Sequence, residues 1–230
     1  MPKSYPAPGG IHYAIQFQPP PADTSFVTHK FLDIRYAFQS ASQMLDIYLP
    51  ESGEGPYPVI MHIHGDAFIG CDKADQQVLP ALQGLKRGYA VVAVNYRLSG
   101  EAKFPALVQD VKAAVRWARA HAGRYHLDPE RIAAWGGSAG GYLASMLGVS
   151  AGVPELEDLH QGNPDQLCHV LAAVVWYGPT NFLKMDEQLA SSGLLAPQGM
   201  RHNDPHSPEA LLLGRRITRL PLSAGTNWIT

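Results

Sequence analysis

"IAAWGGSAGGYLASML", residues 132–147, decides the fold. An apolar run ends in two glycines, a lone serine follows, and a second apolar run begins at once. This pattern predicts a buried strand, a glycine corner and a helix in direct succession. Gly136-Gly137-Ser138-Ala139-Gly140 spells G-x-S-x-G. Such a serine sits on a sharp strand-to-helix turn, where side chains two positions to either side would collide, and its hydroxyl is exposed. The hydroxyl also lies at a helix N-terminus, whose unpaired N–H groups favour developing negative charge. A flexible Gly/Ser linker would not be flanked by "IAAW" and "YLASML". A phosphate loop would need G-x-x-x-x-G-K-[ST], and no lysine is near. Ser138 is therefore the candidate nucleophile.

The neighbouring patterns fit that reading. "YPVIMHIHG" (57–65), "GYAVVAVNYR" (88–97), "RIAAWGG" (131–137) and "HVLAAVVWYG" (169–178) are continuous apolar runs and predict four buried strands. "FLDIRYAF" (31–38) and "QMLDIYLP" (43–50) alternate apolar and polar residues, as a half-exposed antiparallel hairpin does. Helices are predicted within 74–87, over 104–125, over 138–149, and as short pieces in 181–191 and 208–213. In the second of these, Leu107, Val108, Val111, Ala114, Val115 and Ala118 share one face. A hairpin followed by alternating strands and helices predicts an α/β domain: a mostly parallel, doubly wound sheet with an N-terminal antiparallel hairpin. Sites in such sheets form beyond the carboxyl ends of the strands. "HIHGDAF" and "WGGSAGG" both fall there.

The chain has 230 residues, enough for one large domain. Its formal net charge is −2 and the charges are scattered, which argues against a nucleic-acid or anionic-membrane partner. Residues 1–29 are rich in proline and contain no apolar stretch long enough for a signal peptide or membrane span. They predict an extended lead-in along the surface. Cys71 and Cys168 follow no metal or redox spacing and predict buried free thiols, hence a cytoplasmic location.

The stretch "HIHGDAF" (62–68) admits three readings. In esterases of this architecture, a loop at this point supplies oxyanion-hole N–H groups, and the residue after the serine, here Ala139, supplies the second donor. Alternatively, His62, His64 and Asp66 spell H-x-H-x-D, part of a metallohydrolase pattern, although Ala67 stands where that pattern wants a further histidine. In the plainest reading the histidines are core residues bonded to nearby backbone, which suits His62.

The chain resembles the α/β-hydrolase carboxylesterases, on their hormone-sensitive-lipase-like and bacterial feruloyl-esterase-like side. The resemblance rests on "HIHGDAFIG", "NYRLSGEAKFPALVQDVKAAVRWARAHA", "LDPERIAAWGGSAGGYLA", "VVWYGPTNF" and "HNDPHSPEALLLG", in the family's order over roughly residues 30–214. It implies Ser138 as nucleophile and Asp66, Ala67 and Ala139 at the oxyanion hole. It also implies a small-molecule ester as substrate and acyl transfer to serine and then to water, without metal or cofactor. Asp66 stands where the family usually has glycine, and a carboxylate there would repel an oxyanion unless it points away. Cys71 also replaces a usual glycine, and Gly100 a usual proline.

The family's chain order is Ser, then Asp or Glu, then His, with acid and histidine on loops after two further strands. Here the resemblance fades near Leu213, and the tail "RRITRLPLSAGTNWIT" (215–230) has neither Asp nor His. The expectation is a C-terminally truncated domain (30–214) with a tail outside the family, hydrolysing esters weakly or not at all. A non-catalytic scaffold that binds esters or a partner is the alternative. Substitute bases would come from His160, His169, His202 or His206, oriented by Asp186 or Asp204. Without the last strands, the apolar edge at 172–177 is predicted to promote self-association.

Overall fold

A computed structural model of the chain describes residues 19–193 and 201–219. Six strands form one sheet: β1 (Lys30–Arg35), β2 (Met44–Tyr48), β3 (Tyr57–Ile63), β4 (Ala90–Val94), β5 (Leu127–Gly137) and β6 (Ala172–Trp176). Their order across the sheet is β1-β2-β4-β3-β5-β6. The hairpin strand β2 pairs antiparallel with both β1 and β4; the β4–β3, β3–β5 and β5–β6 pairs are parallel. The helices are α1 (Leu79–Leu82), α2 (Ala106–Ala120), α3 (Ala139–Val149), α4 (Met185–Ser191) and α5 (Pro208–Leu213). This is the doubly wound α/β arrangement the sequence predicts.

The helix expected within 74–87 is broken. A single α-turn, α1, sits between two 3-10 turns, Gln76–Val78 and Gln83–Arg87. Gly84 explains the tight descent onto the sheet: a Cβ there would come within 2.6 Å of Ile60 Cδ1. Strand β1 is shorter than predicted. Its register shifts between Phe31 and Ile34, where Asp33 takes a left-handed φ of 54° and donates its N–H to Asp46 Oδ1 at 2.7 Å.

The apolar face of α2 is buried as predicted, yet its polar residues Asp110, Lys112, Arg116 and Arg119 are buried too. Each is satisfied. Arg97 grips Asp110 through Nη2 (2.7 Å) and Nε (2.9 Å). Lys112 donates to the Ser150 carbonyl (2.6 Å) and to Glu157 (3.1 Å), and Arg116 donates to Glu157 (2.8 Å). Buried charges persist only when paired in this way. The covering segment after α3 comes from far along the chain, so periodicity within α2 does not reveal it.

Strand β6, whose apolar run predicts burial and whose place beside the missing strands predicts an open edge, is exposed along its whole length, with Val174 at 41% and Trp176 at 43%. One side pairs with β5, and among the described residues no strand pairs with the other. At the opposite end, Ala22 N–H bonds the Ala74 carbonyl and Pro21 bridges Asp75, so the last part of the lead-in follows the 72–76 loop. Its first 18 residues lie outside the described residues, as do 220–230. Ile217, just after α5, is fully buried in the main core.

Candidate active site

Ser138 occupies φ 54°, ψ −121°, a sparsely populated conformation, between the last residue of β5 and the first of α3. Strain of this kind costs roughly 1–3 kcal/mol and persists only where the surroundings over-determine it. Here they do. Ser138 N–H donates to the Trp176 carbonyl at the end of β6 (2.9 Å), and its own carbonyl accepts from Tyr142 N–H (2.9 Å). A Cβ on Gly136 would lie 2.3 Å from the Gly140 carbonyl, and one on Gly140 would lie 2.0 Å from the Ile63 carbonyl oxygen. The two glycines of G-x-S-x-G are thus sterically required. The Ser138 hydroxyl makes no capping bond and has no hydrogen-bond partner among the described residues.

The loop after β3 lies against the serine. A Cβ on Gly65 would be 2.8 Å from the Gly137 carbonyl and 3.4 Å from Ser138 Cβ. Gln77 pins this approach by accepting Gly65 N–H at 2.9 Å. The loop then runs through left-handed φ values at Asp66 (81°), Ala67 (51°), Phe68 (65°) and Cys71 (69°). It is closed by Ile69 N–H on the Asp66 carbonyl (2.9 Å) and by Ser99 N–H on the Phe68 carbonyl (2.8 Å). The buried Phe68 ring meets Tyr142 of α3 edge-on at 5.6 Å. The N–H groups of Asp66 and Ala67 have no partner among the described residues. Ala139 N–H likewise precedes the first intrahelical bond, which Tyr142 makes.

The Asp66 side chain folds back on its own loop. Its Oδ2 lies 2.2 Å from the place a Cβ on Gly70 would take, and the Cys71 thiol bonds it. Burial raises this carboxyl's pKa above the ordinary range, opposed by that thiol bond. Burial, with Asp66 and Asp75 nearby, also raises the Cys71 thiol. Cys71 is half-buried and Cys168 buried; both are free.

The H-x-H-x-D spacing does not converge on a point. His64 Nδ1 faces the Gly65 carbonyl (3.1 Å), and its ring stacks on Tyr96 at 4.6 Å. His62 is buried in β3, and its pKa is pushed down to about 3 by burial and by the neighbouring His64. Its Nδ1 has no partner, so the expected bonding to nearby backbone leaves one ring nitrogen unsatisfied. Among the described residues, no three His, Cys, Asp or Glu side chains form a group that could hold a metal ion. The three side chains therefore give no support to the metallohydrolase reading.

Downstream, the pairing differs from the sequence expectation. Asp186 accepts the backbone N–H groups of His202 (2.7 Å) and Asn203 (3.0 Å), and Asp204 accepts that of His206 (2.8 Å). Neither acid holds an imidazole. The His202 ring instead bonds Glu209 through Nδ1 at 3.1 Å, and this raises its pKa. In the sequence Glu209, two residues after the α5 cap Ser207, reads as an ordinary first-turn acid. His169 faces Arg119 (3.4 Å), and the backbone N–H of His160 bonds Asp158. Among the described residues, none of these histidines bonds Ser138.

Two further neighbours carried no sequence signal. Gln77 is one. The other is Tyr177, just past β6, whose hydroxyl lies 2.9 Å from the position of a Cβ on Gly137.

The profile of the BD-FAE family matches residues 45–226, past the Gly214 boundary read from the sequence. The probable carboxylic ester hydrolase LipM of Mycobacterium tuberculosis is 33% identical over 160 residues, 68% of this chain and 36% of its own length. This chain thus spans about a third of that relative. A truncated form of a carbohydrate esterase from gut microbiota superposes with a TM-score of 0.72 at 35% identity, over 85% of this chain and 68% of that one. A bifunctional GH43-CE protein of Bacteroides eggerthii superposes with a TM-score of 0.70 at 37% identity, over 81% of this chain and 24% of its own. The sheet order, the serine corner and these matches agree: the chain belongs to the BD-FAE family of α/β-hydrolase esterases.

Proposed function

We propose that this chain carries carboxylic ester hydrolysis through an acyl-enzyme on Ser138. Ser138 Oγ attacks the ester carbonyl, the carbonyl electrons move onto oxygen, and the N–H groups of Ala139 and of Asp66 and Ala67 receive that oxyanion. Collapse breaks the bond to the alcohol, and water then attacks the acyl-serine and releases the acid. The observation that carries this reading is the strained Ser138 backbone with Gly65 of the loop after β3 packed against it, the N–H groups of Ala139, Asp66 and Ala67 having no partner among the described residues. Asp66 does not defeat it, because its carboxyl turns toward Gly70 and Cys71.

The serine proton needs a base, and no imidazole among the described residues bonds Ser138. His202, the one imidazole among the described residues whose ring bonds a carboxylate, is the candidate. Turnover is expected to be slow, because no described base takes the proton as Ser138 attacks, and it still passes through Ser138 with the oxyanion hole stabilising the attack. Names of relatives support esters of carbohydrates as substrates. The free thiols Cys71 and Cys168 support a cytoplasmic location. The exposed 172–177 edge supports self-association.

Hydrolysis of p-nitrophenyl acetate by the full chain, compared with its Ser138→Ala variant, tests the reading. A rate that vanishes in the variant is expected, and His202→Ala then asks whether this imidazole is the base. Equal background rates would overturn the acyl-enzyme and leave an ester-binding scaffold, a reading favoured by the unpartnered Ser138 hydroxyl.

A further inference from the structure

Six of the nine described non-glycine residues with positive φ sit at the carboxyl ends of β3, β5 and β6: Asp66, Ala67, Phe68, Cys71, Ser138 and Tyr177. Five of them are explained by the serine corner and the loop against it. Tyr177 is not. A φ of 41° is an outlier for a bulky residue, and packing does not reward it, because Tyr177 is 80% exposed. Strain without burial at the edge of a site points to function.

The surroundings are shaped around this side chain. The Tyr177 hydroxyl and ring lie against Gly137, the residue before the nucleophile, at 2.9 and 3.2 Å from where a Cβ would be. Gly178 lets the chain press onto α3, since a Cβ there would sit 2.8 Å from Gly141 C and 2.9 Å from Tyr142 N. The preceding Trp176 carbonyl holds Ser138 N–H. The Ser138 corner thus has the 65–67 loop against it on the β3 side, where Asp66 and Ala67 N–H have no partner among the described residues, and the Tyr177 phenol against Gly137 on the β6 side. The phenol hydroxyl has no hydrogen-bond partner among the described residues.

We propose that Tyr177 is a substrate-binding residue that holds a hydroxylated ring of the ester beside Ser138. The phenol offers an exposed apolar face for the ring and a hydroxyl for one of the ring's own hydroxyls. A sugar ring on the alcohol side and a phenolic ring on the acyl side share this chemistry. The proposal rests on Ser138 as the reacting residue, and its test is made independent of turnover.

Binding of methyl gallate and of a monoacetylated methyl xyloside is measured by saturation-transfer NMR in the Ser138→Ala background. At least one ring receives saturation, and which one does tells the phenolic from the sugar source. Adding Tyr177→Gly weakens that binding about tenfold or more, and Tyr177→Phe weakens it about threefold by removing only the hydroxyl. Glycine suits a positive φ, so Tyr177→Gly leaves the melting temperature unchanged or raises it. A residue kept for the fold would lower it. Saturation of neither ring, or equal affinity with Tyr177→Gly, overturns the proposal. Equal p-nitrophenyl acetate rates with and without Ser138 would refute the acyl-enzyme alone and leave this binding result standing.

Discussion

Strands β4 and β6 are nearly the same word, AVVAV and AAVVW, in opposite surroundings. Every residue of β4 is buried and every residue of β6 is exposed. Between β2 and β3, β4 has a strand on each side, whereas among the described residues β6 has only β5. An apolar run therefore specifies a strand, and its burial is set by neighbours that the run does not contain. The middle of the sheet is a dry interior, and its β6 edge is a surface with the composition of an interior.

Charge is the sharpest way to break this contrast. Val92→Asp puts a carboxylate into the centre of β4, where no partner waits, and is expected to cost more than about 4 kcal/mol and abolish the urea transition. Asp110→Ala comes next. It leaves Arg97 facing an empty place at the start of α2 and is expected to cost about 3–5 kcal/mol in urea unfolding.

The third prediction concerns the centre's own histidine. His62 pairs with Ala93 of β4 and Trp135 of β5. Its folded pKa is about 3 against an ordinary 6.5. The unfolded chain therefore takes a proton below pH 6.5 that the folded chain refuses until about pH 3. Its contribution is fully present above pH 6.5 and falls by about 1.4 kcal/mol per unit on acidification through that window. Urea stability should drop by about 2 kcal/mol between pH 6.5 and 5, and His62→Asn should flatten part of that slope. Burial depresses His64 in the same direction, so it maintains the rest. A flat profile in the parent would refute the assignment.

The smallest effect belongs to the edge. Val174→Lys should change stability by no more than about 0.5 kcal/mol. The same lysine should shift sedimentation from associated species toward monomer, since a charge blocks edge pairing. A parent that sediments as a monomer across a wide concentration range would remove the edge's proposed role in association.

The parts of the molecule that were legible in the sequence are those encoded by exclusion. Gly136 and Gly140 stand at fixed distances from Ser138 because any side chain there collides, and that requirement is written in five consecutive positions. The buried stripe of α2 is legible for a similar reason, since helical spacing forces it onto one face. Contacts between distant segments were not legible. Nothing local to Lys112 or Arg116 announces Glu157, and nothing in "HNDPHSPEALLLG" says that the His202 ring chooses Glu209 over Asp204. The direction of the Asp66 carboxyl depends on Gly70 and Cys71 closing beneath it. Nothing local to Tyr177 reveals that its neighbours Trp176 and Gly178 press against Gly141 of α3.

One hydrogen bond joins the two ends of the opening contrast. Ser138 belongs to the turn that ends an interior strand, yet its amide is held by the carbonyl of Trp176 on the exposed edge. Edge strands open locally at lower free energy than central ones. Deuterium uptake at the Ser138 amide should therefore follow the fraying of β6 and run ahead of uptake in β3 and β4. The Ser138 backbone is then only as persistent as β6, the last strand of the sheet among the described residues, and whatever covers that strand also sets the lifetime of the serine's geometry.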